Sequence, residues 1–209
     1  MYSPSYNRVD DSAQVLDFVR ENRFGVLVTT GPDGVPRATH LPFAFRGGAD
    51  AAESEGWTLV AHLARANSQW EDFAGEREAL VIFSGPHAYI SPTHYERVLS
   101  VPTWNYIAVH AYGVPTVLAE PAAARAALDT LIAAEEPGYA ERLAAYPDEF
   151  VAGMLRAIVA FEIKVSRVEA RYKLSQDRTE GERQTIVAAL SKSAYEAERN
   201  IAAAMDTAP

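Results

Sequence analysis

Apolar and polar residues alternate along several short segments of this chain, and such alternation is typical of β-strands with one buried face. The most unusual segment is "SVPTWNYIAVHAYG", which reads as a long strand ending near Leu118. One face of that strand carries Asn105, Ile107, Val109 and Ala111. The other face carries large rings with polar atoms, which belong to Trp104, Tyr106, His110 and Tyr112. The pattern leaves two arrangements equally open: this ring-bearing face points outward, towards a partner subunit and a cofactor cleft, or it packs beneath a helical insertion.

Four further strand patterns precede the long strand, and one follows it. The predicted strands are Phe24–Thr30, Arg37–Phe45, Trp57–Ala64, Ala79–Gly85 and, as a returning strand pair, Val159–Ser175. The Asp33-Gly34 turn makes the first two a hairpin. The segment "GGADAAESEG" reads as a polar loop. "GPHAYISP" is bracketed by prolines and reads as a structured loop with a short extended segment.

Helical periodicity occurs at both ends of the chain and in one block between strands. A first helix is predicted after Asp10 or Asp11, with its apolar stripe at Val15, Leu16, Phe18 and Val19. A helical insertion occupies about 120–157, and further helices end the chain. Alternating βα units do not recur. The prediction is a mainly β, α+β fold: one domain over 1–209, built as a closed or nearly closed antiparallel barrel with helices outside.

Composition narrows the classes of function. The 209 residues include no cysteine, which excludes disulfides, thiolate metal sites and a cysteine nucleophile. The formal net charge of −9 makes direct DNA binding doubtful, because such binding depends on neutralising phosphates. The first residues lack the pattern of a signal peptide, and no apolar run is long enough to span a membrane. We therefore expect a cytoplasmic protein without membrane association.

Familiar catalytic signatures are absent from the sequence. There is no phosphate-binding glycine loop, nucleophile elbow or zinc-protease motif. The five histidines lie on different segments without ligand spacing, so no metal site is predicted.

The segment "AHLARANSQWED" has the features of a phosphate site. A strand ends at Arg65, and a short helix that Asn67 or Ser68 can cap begins just after it. Free N–H groups at the helix start and a guanidinium would suit a phosphate. The alternative is purely structural: the cap holds the helix, and Arg65 pairs with Glu71 or Asp72. The aromatic strand face could stack on a planar ring whose edge is bound by Thr39, Asn105 and Gln176. A phosphate and a ring with a polar edge together describe flavin mononucleotide (FMN).

Five motifs make the chain resemble the PaiB family, described as FMN-binding negative transcriptional regulators. In order they are "GVPRATHLPF", "AHLARANSQW", "ALVIFSGPHAYISP", "VPTWNYIAVHAYG" and "YKLSQDR". Asp177 stands where the family pattern would place asparagine. The resemblance covers nearly the whole chain. It implies a split β-barrel of the pyridoxamine-phosphate-oxidase type and a homodimer with flavin sites at the subunit interface.

The residues assigned to FMN combine the motifs with the resemblance. They are Thr39, His40, Leu41, His62, Arg65, Asn67, Ser68, Trp104, Asn105 and Gln176. Two functions remain open at this point. One is a flavin-binding repressor that acts through a partner. The other is a flavin-dependent oxidoreductase that acts on a small molecule, with His40 as the catalytic proton donor. Considered without the flavin, His40 is predicted to be a half-buried histidine with a backbone partner. Haem binding by a histidine is a weaker third alternative.

Overall fold

The computed structural model describes residues 1–46, 56–96 and 99–207, so most of the predicted polar loop lies outside the described residues. The strands are β1 (Phe24–Thr30), β2 (Pro36–Pro42), β3 (Ala44–Arg46), β4 (Thr58–Ala64), β5 (Ala79–Ile90), β6 (Thr103–Val117) and β7 (Ile158–Lys173). The helices are α1 (Ser12–Glu21), α2 (Pro121–Glu135), α3 (Tyr139–Ala144), α4 (Asp148–Arg156), α5 (Glu180–Leu190) and α6 (Glu196–Thr207). Short 3₁₀ helices span Ser5–Asn7, Ser68–Gly75 and Pro92–His94. The strands form one sheet in the order β2-β1-β5-β6-β7-β4-β3.

The chain divides into two compact units. The first unit comprises Met1–Asp11, Ser84–Val109 and Glu169–Pro209. It contains helices α5 and α6, which pack against each other. A complete capping box starts α5, in which Thr179 and Glu182 each bond the other's backbone.

The second unit comprises Ser12–Phe83 and His110–Val168. Within it β1 pairs antiparallel with β2 and with β5, while β4 pairs antiparallel with β3 and β7. Helix α2 covers β3 and β4 through a cluster of mostly small residues: Ala44, Val60, Ala127, Leu131 and Ala160. The predicted apolar stripe of α1 is confirmed, since all four of its residues are buried.

The predicted strand Arg37–Phe45 is wrong in one respect, because the structure breaks it into two strands at Phe43. The Phe43 side chain is 1% exposed and packs edge-on against Phe83, with ring centroids 5.6 Å apart. Its backbone N–H donates to the carbonyl of Arg23 instead of joining the ladder. β2 therefore pairs with β1, and β3, immediately after it, pairs with β4. Burying one ring makes the strand change partners.

Two other predictions need correction. The segment after Gly85, predicted as a structured loop with a short extended segment, continues β5 to Ile90, with Ala88 and Ile90 buried on either side of the exposed Tyr89. That alternation outweighs the local breaker signal of the glycine and proline. The returning strand pair is a single strand, β7, 16 residues long. No described helix has the length and apolar character needed to cross a membrane.

Candidate functional site

The predicted phosphate segment forms a capped 3₁₀ helix in the second unit. The side-chain oxygen of Asn67 accepts a hydrogen bond of 3.0 Å from the backbone N–H of Gln69. The Asn67 amide nitrogen donates to the Thr39 hydroxyl at 3.0 Å, and that hydroxyl lies 2.5 Å from the Gln69 side-chain oxygen. The structure thus brings Thr39 and Asn67 into direct contact, with the exposed Ser68 beside them at the helix start.

A buried polar network fixes this helix against β1 and β2. The Gln69 amide donates to the Thr29 hydroxyl and to the carbonyls of Leu27 and Arg37, at 3.1–3.2 Å. The Asp72 carboxylate accepts 2.7 Å hydrogen bonds from Thr29 and from the Arg37 guanidinium. Sequence reasoning missed the roles of Gln69 and Asp72. Their spacing of three residues is the signal, because it places both on one face of a 3₁₀ helix.

The three predicted site residues of β2 do not share a face. Thr39 and the buried Leu41 alternate with His40, so the His40 side chain points to the opposite side. His40 is exposed and stacks on the Phe24 ring, with centroids 6.0 Å apart. The expectation of a half-buried histidine with a backbone partner is wrong, because the His40 ring is exposed and packs on another side chain of the same sheet face.

Arg65 bonds neither of the acidic residues expected as its partners. Its guanidinium donates to the carbonyls of Arg156 and Ile158, at 2.8 and 2.7 Å, and its backbone N–H donates to Ala157. These carbonyls are at and just beyond the end of α4, where a helix leaves acceptors unpaired and carries partial negative charge. Asp72 is instead taken by Arg37. Arg65 therefore caps α4, and its assignment to a phosphate stays a prediction.

His62 lies on β4, paired with Ala160 across the ladder with β7. Its Nδ1 atom is buried and lacks a hydrogen-bond partner among the described residues. Burial lowers the pKa of His62, so the ring is neutral at pH 7. A buried ring nitrogen without a partner is uncommon, and it suits a site that gains a polar ligand.

The remaining assigned residues lie in the first unit. Asn105 is fully buried and donates to the Ser175 hydroxyl at 3.0 Å, so its amide is engaged inside the protein. Gln176 bonds the backbone of Tyr172 and Leu174. Trp104 is 53% exposed. For Asn105 and Gln176 the intramolecular bonds offer a structural role, and their assignment to FMN stays a prediction.

The rings of β6 alternate with buried residues as predicted. Asn105, Ile107, Val109 and Ala111 are buried, whereas the ring-bearing residues are half-buried or exposed. In the first unit, the Arg171 guanidinium lies 5.3 Å from the Tyr106 ring centre. In the second, Arg167 lies 3.6 Å from that of Tyr112. Cation–π contacts with β7 thus explain part of the aromatic face. Within the described ranges no group of three acidic or histidine side chains could hold a metal ion.

Comparison with known proteins matches most of the chain to one family. Residues 1–167 match the family model described as "Putative FMN-binding domain". The Bacillus subtilis (strain 168) protein "Protease synthase and sporulation protein PAI 2" is 38% identical over 191 residues, which cover 90% of this chain and 87% of that protein. An uncharacterized protein from Aspergillus fumigatus is 27% identical over an alignment of 232 positions, which covers 88% of each chain.

Solved structures show the same fold at low sequence identity. The FAD and haem binding protein from Mycobacterium smegmatis superposes with a TM-score of 0.61 at 17% identity, covering 80% of this chain and 73% of that one. The predicted α+β fold of the antiparallel split-barrel type is thereby confirmed.

Proposed function

The chain belongs to the PaiB family of FMN-binding proteins and uses FMN as its cofactor, and we propose that it is a negative regulator of transcription that acts as a homodimer. The observation that carries the proposal is the match to the Bacillus protein across 90% of the chain. The name of that protein links it to protease synthesis and sporulation. By similarity to this relative, we propose that the chain regulates gene expression in the cytoplasm.

The second unit offers residues that suit a flavin. Thr39, Asn67 and Ser68 place hydroxyl and amide groups together at the start of the 3₁₀ helix, and His62 presents a buried nitrogen without a partner among the described residues. These groups would bind and orient FMN by hydrogen bonds. The isoalloxazine, when bound, supplies a redox-active ring, and the protein supplies its position and surroundings.

Exposed rings in the first unit support the homodimer. Trp104 lies 6.0 Å from His87 and 5.9 Å from Tyr89, measured between ring centres. Trp104 is 53% exposed and Tyr89 45% exposed. Trp and Tyr are enriched in protein interfaces because they bury apolar area and keep a polar atom for the partner. A second copy of the chain is the partner that we propose for this aromatic cluster.

Direct DNA contact is a poor fit to the charge of the chain. A net charge of −9 repels phosphates, so we propose that regulation runs through a protein partner. At about 150 mM salt the FMN-loaded protein should bind a random duplex weakly. A gel shift with submicromolar affinity and a steep salt dependence would contradict this route.

Flavin titration tests the binding site. Ser68→Ala should weaken FMN binding by about 1–2 kcal/mol if the hydroxyl contacts the phosphate, and should leave riboflavin binding unchanged. Ser68 is exposed, so its loss should cost the fold little. Arg65→Ala belongs in the same series, scored by the ratio of FMN to riboflavin affinity, because that ratio cancels damage to the α4 cap. If the ratio of FMN to riboflavin affinity is unchanged in both variants, this segment does not bind the FMN phosphate.

Transcript profiling tests the regulatory role. A strain lacking the gene should raise a defined set of transcripts, which the wild-type gene restores and the Trp104→Glu gene does not. No transcript change would contradict regulation. Rapid flavin-dependent consumption of NADH or NADPH with a small-molecule acceptor would favour the oxidoreductase, and a Soret band in the purified protein would favour haem.

A further inference from the structure

A basic pocket lies within the first unit. Its volume is about 250 Å³, and three cationic side chains line it: Arg171 and Lys173 from β7, and Arg178 from the loop that follows. Asp177 is its one acidic lining residue. The lining therefore has a net charge of +2, although the whole chain is acidic. None of these four residues belongs to the set assigned to FMN, although Asn105, which also lines the pocket, does.

The described contacts leave these cations with unused donors. Lys173 donates to the Thr103 hydroxyl and the Trp104 carbonyl, each at 2.5 Å, so one of its three N–H donors has no partner among the described residues. Arg171 donates to the Tyr2 carbonyl through Nη1, but its buried Nε lacks a partner in the same ranges. Cationic side chains that line a cavity and keep unused donors are typical of an anion site.

The acid in the pocket does not neutralise the third cation tightly. The Arg178 Nε atom lies 3.8 Å from the nearer Asp177 oxygen, beyond hydrogen-bond distance. The Arg178 guanidinium instead stacks over the Tyr95 ring at 4.2 Å from its centre. Stacking fixes the plane of the guanidinium while leaving its N–H edges able to donate.

The loop that carries Arg178 is held in a defined shape. Ser175 has a φ of 60°, in the left-handed region that non-glycine residues rarely adopt. Its hydroxyl is buried and bonded to the Asn105 amide, and its carbonyl accepts from the backbone N–H of Arg178. A strained residue stabilised by buried partners is common where a loop positions a ligand site.

We propose that this pocket binds a phosphate monoester of a small molecule, at a site separate from that of FMN. A monoester carries a charge of about −1.5 to −2 at pH 7, which matches the net charge of the lining. Thr103 and Ser175 line the same pocket, and Tyr2 and Tyr6, also in the lining, offer ring surface for the organic part. Burial, and next the charge of Arg171, lower the pKa of Lys173, and a bound dianion would relieve both effects.

Calorimetric titration of the FMN-loaded protein tests the site, with inorganic phosphate and phenyl phosphate as probes in a phosphate-free buffer. Wild type should bind both. Lys173→Gln and, separately, Arg178→Gln should weaken binding about tenfold or more, because each removes a charge-assisted hydrogen bond. Lys192→Gln is the matched control, since Lys192 is exposed and does not line the pocket. Thermal unfolding of each variant checks the fold, and Arg178→Gln carries the test if Lys173→Gln fails to fold.

The outcomes separate this site from the flavin site. Retained FMN absorbance in the variants, with lost phosphate binding, supports the proposal. Loss of FMN from either variant, or release of FMN by phosphate, would overturn it by showing that the pocket holds the flavin phosphate. Absence of phosphate binding by wild type, equal binding by Lys173→Gln and Lys192→Gln, or equal affinity for acetate would also overturn it. None of these readouts depends on the regulatory role.

Discussion

Asp72 is the residue on which the position of the 3₁₀ helix most depends. Its carboxylate is 1% exposed and accepts two hydrogen bonds of 2.7 Å. Replacing it by alanine leaves the Thr29 hydroxyl and one edge of Arg37 without their acceptor. We expect Asp72→Ala to lower the free energy of unfolding by about 1–3 kcal/mol, the cost of leaving the buried Thr29 hydroxyl without its acceptor. Urea denaturation at pH 7 measures the loss.

A surface carboxylate provides the control for that measurement. Asp129 pairs with Arg125 one helical turn away, with 47% of its side chain exposed. Asp129→Ala should change stability by less than about 1 kcal/mol, because exposed pairs contribute little. Similar losses for the two variants would mean that the buried network contributes no more than a surface pair.

His62 gives a residue-scale prediction for pH. Burial lowers its pKa in the folded protein, so the unfolded chain takes up a proton first as the pH falls. Below about pH 6.5, the unperturbed value, this difference removes stability, and above it the contribution is absent. His62→Gln should therefore lose less stability than wild type when the pH is lowered from about 7.5 to about 5.5, a range centred on the unperturbed pKa. His40→Gln, which removes an exposed histidine, is the control and is measured by urea denaturation at the same pH values. An equal loss of stability between the two pH values in all three proteins would contradict the prediction.

At the scale of elements, the Arg65 cap predicts an effect confined to one helix. Arg65→Met keeps the apolar stem but removes the donors to the carbonyls at the end of α4. We expect a loss of about 1–2 kcal/mol in stability, and faster amide exchange in the last turn of α4. Hydrogen exchange resolved by residue is the measurement. An effect spread evenly over α2 and α3 would mean that the contact is not a local cap.

Sequence reasoning succeeded where one pattern decides an element. β1 and the buried stripe of α1 follow from alternation and periodicity alone, because a single face is buried in each. It failed where distant residues compete. The break at Phe43 depends on Phe83 and Arg23, and the true partner of Arg65 lies 91 residues away in sequence. The network of Gln69 and Asp72 was missed for the same reason: their spacing in "SQWED" places both on one helix face, but their partners Thr29 and Arg37 lie far away in sequence.

At the scale of the whole molecule, we expect dimer formation and flavin binding to be coupled through the aromatic cluster of Trp104, His87 and Tyr89. Trp104→Glu places a charge among the rings of His87 and Tyr89. We expect the variant to sediment as a monomer at micromolar concentration and to lose FMN on gel filtration, because a buried charge without a partner disrupts an interface. Tyr195→Glu, at a ring that is 72% exposed and outside the aromatic cluster, is the comparison. A monomeric wild type, or a dimeric Trp104→Glu that keeps FMN, would refute the shared role.

The change of partner at Phe43 also limits how copies of this chain can associate. β2 is the first strand of the sheet and β3 the last, and each leaves backbone groups that could template another strand. β2 begins and ends with proline, which lacks an N–H to donate. Growth of the sheet by strand addition at the β2 margin, the first step towards fibrous aggregates, is therefore disfavoured.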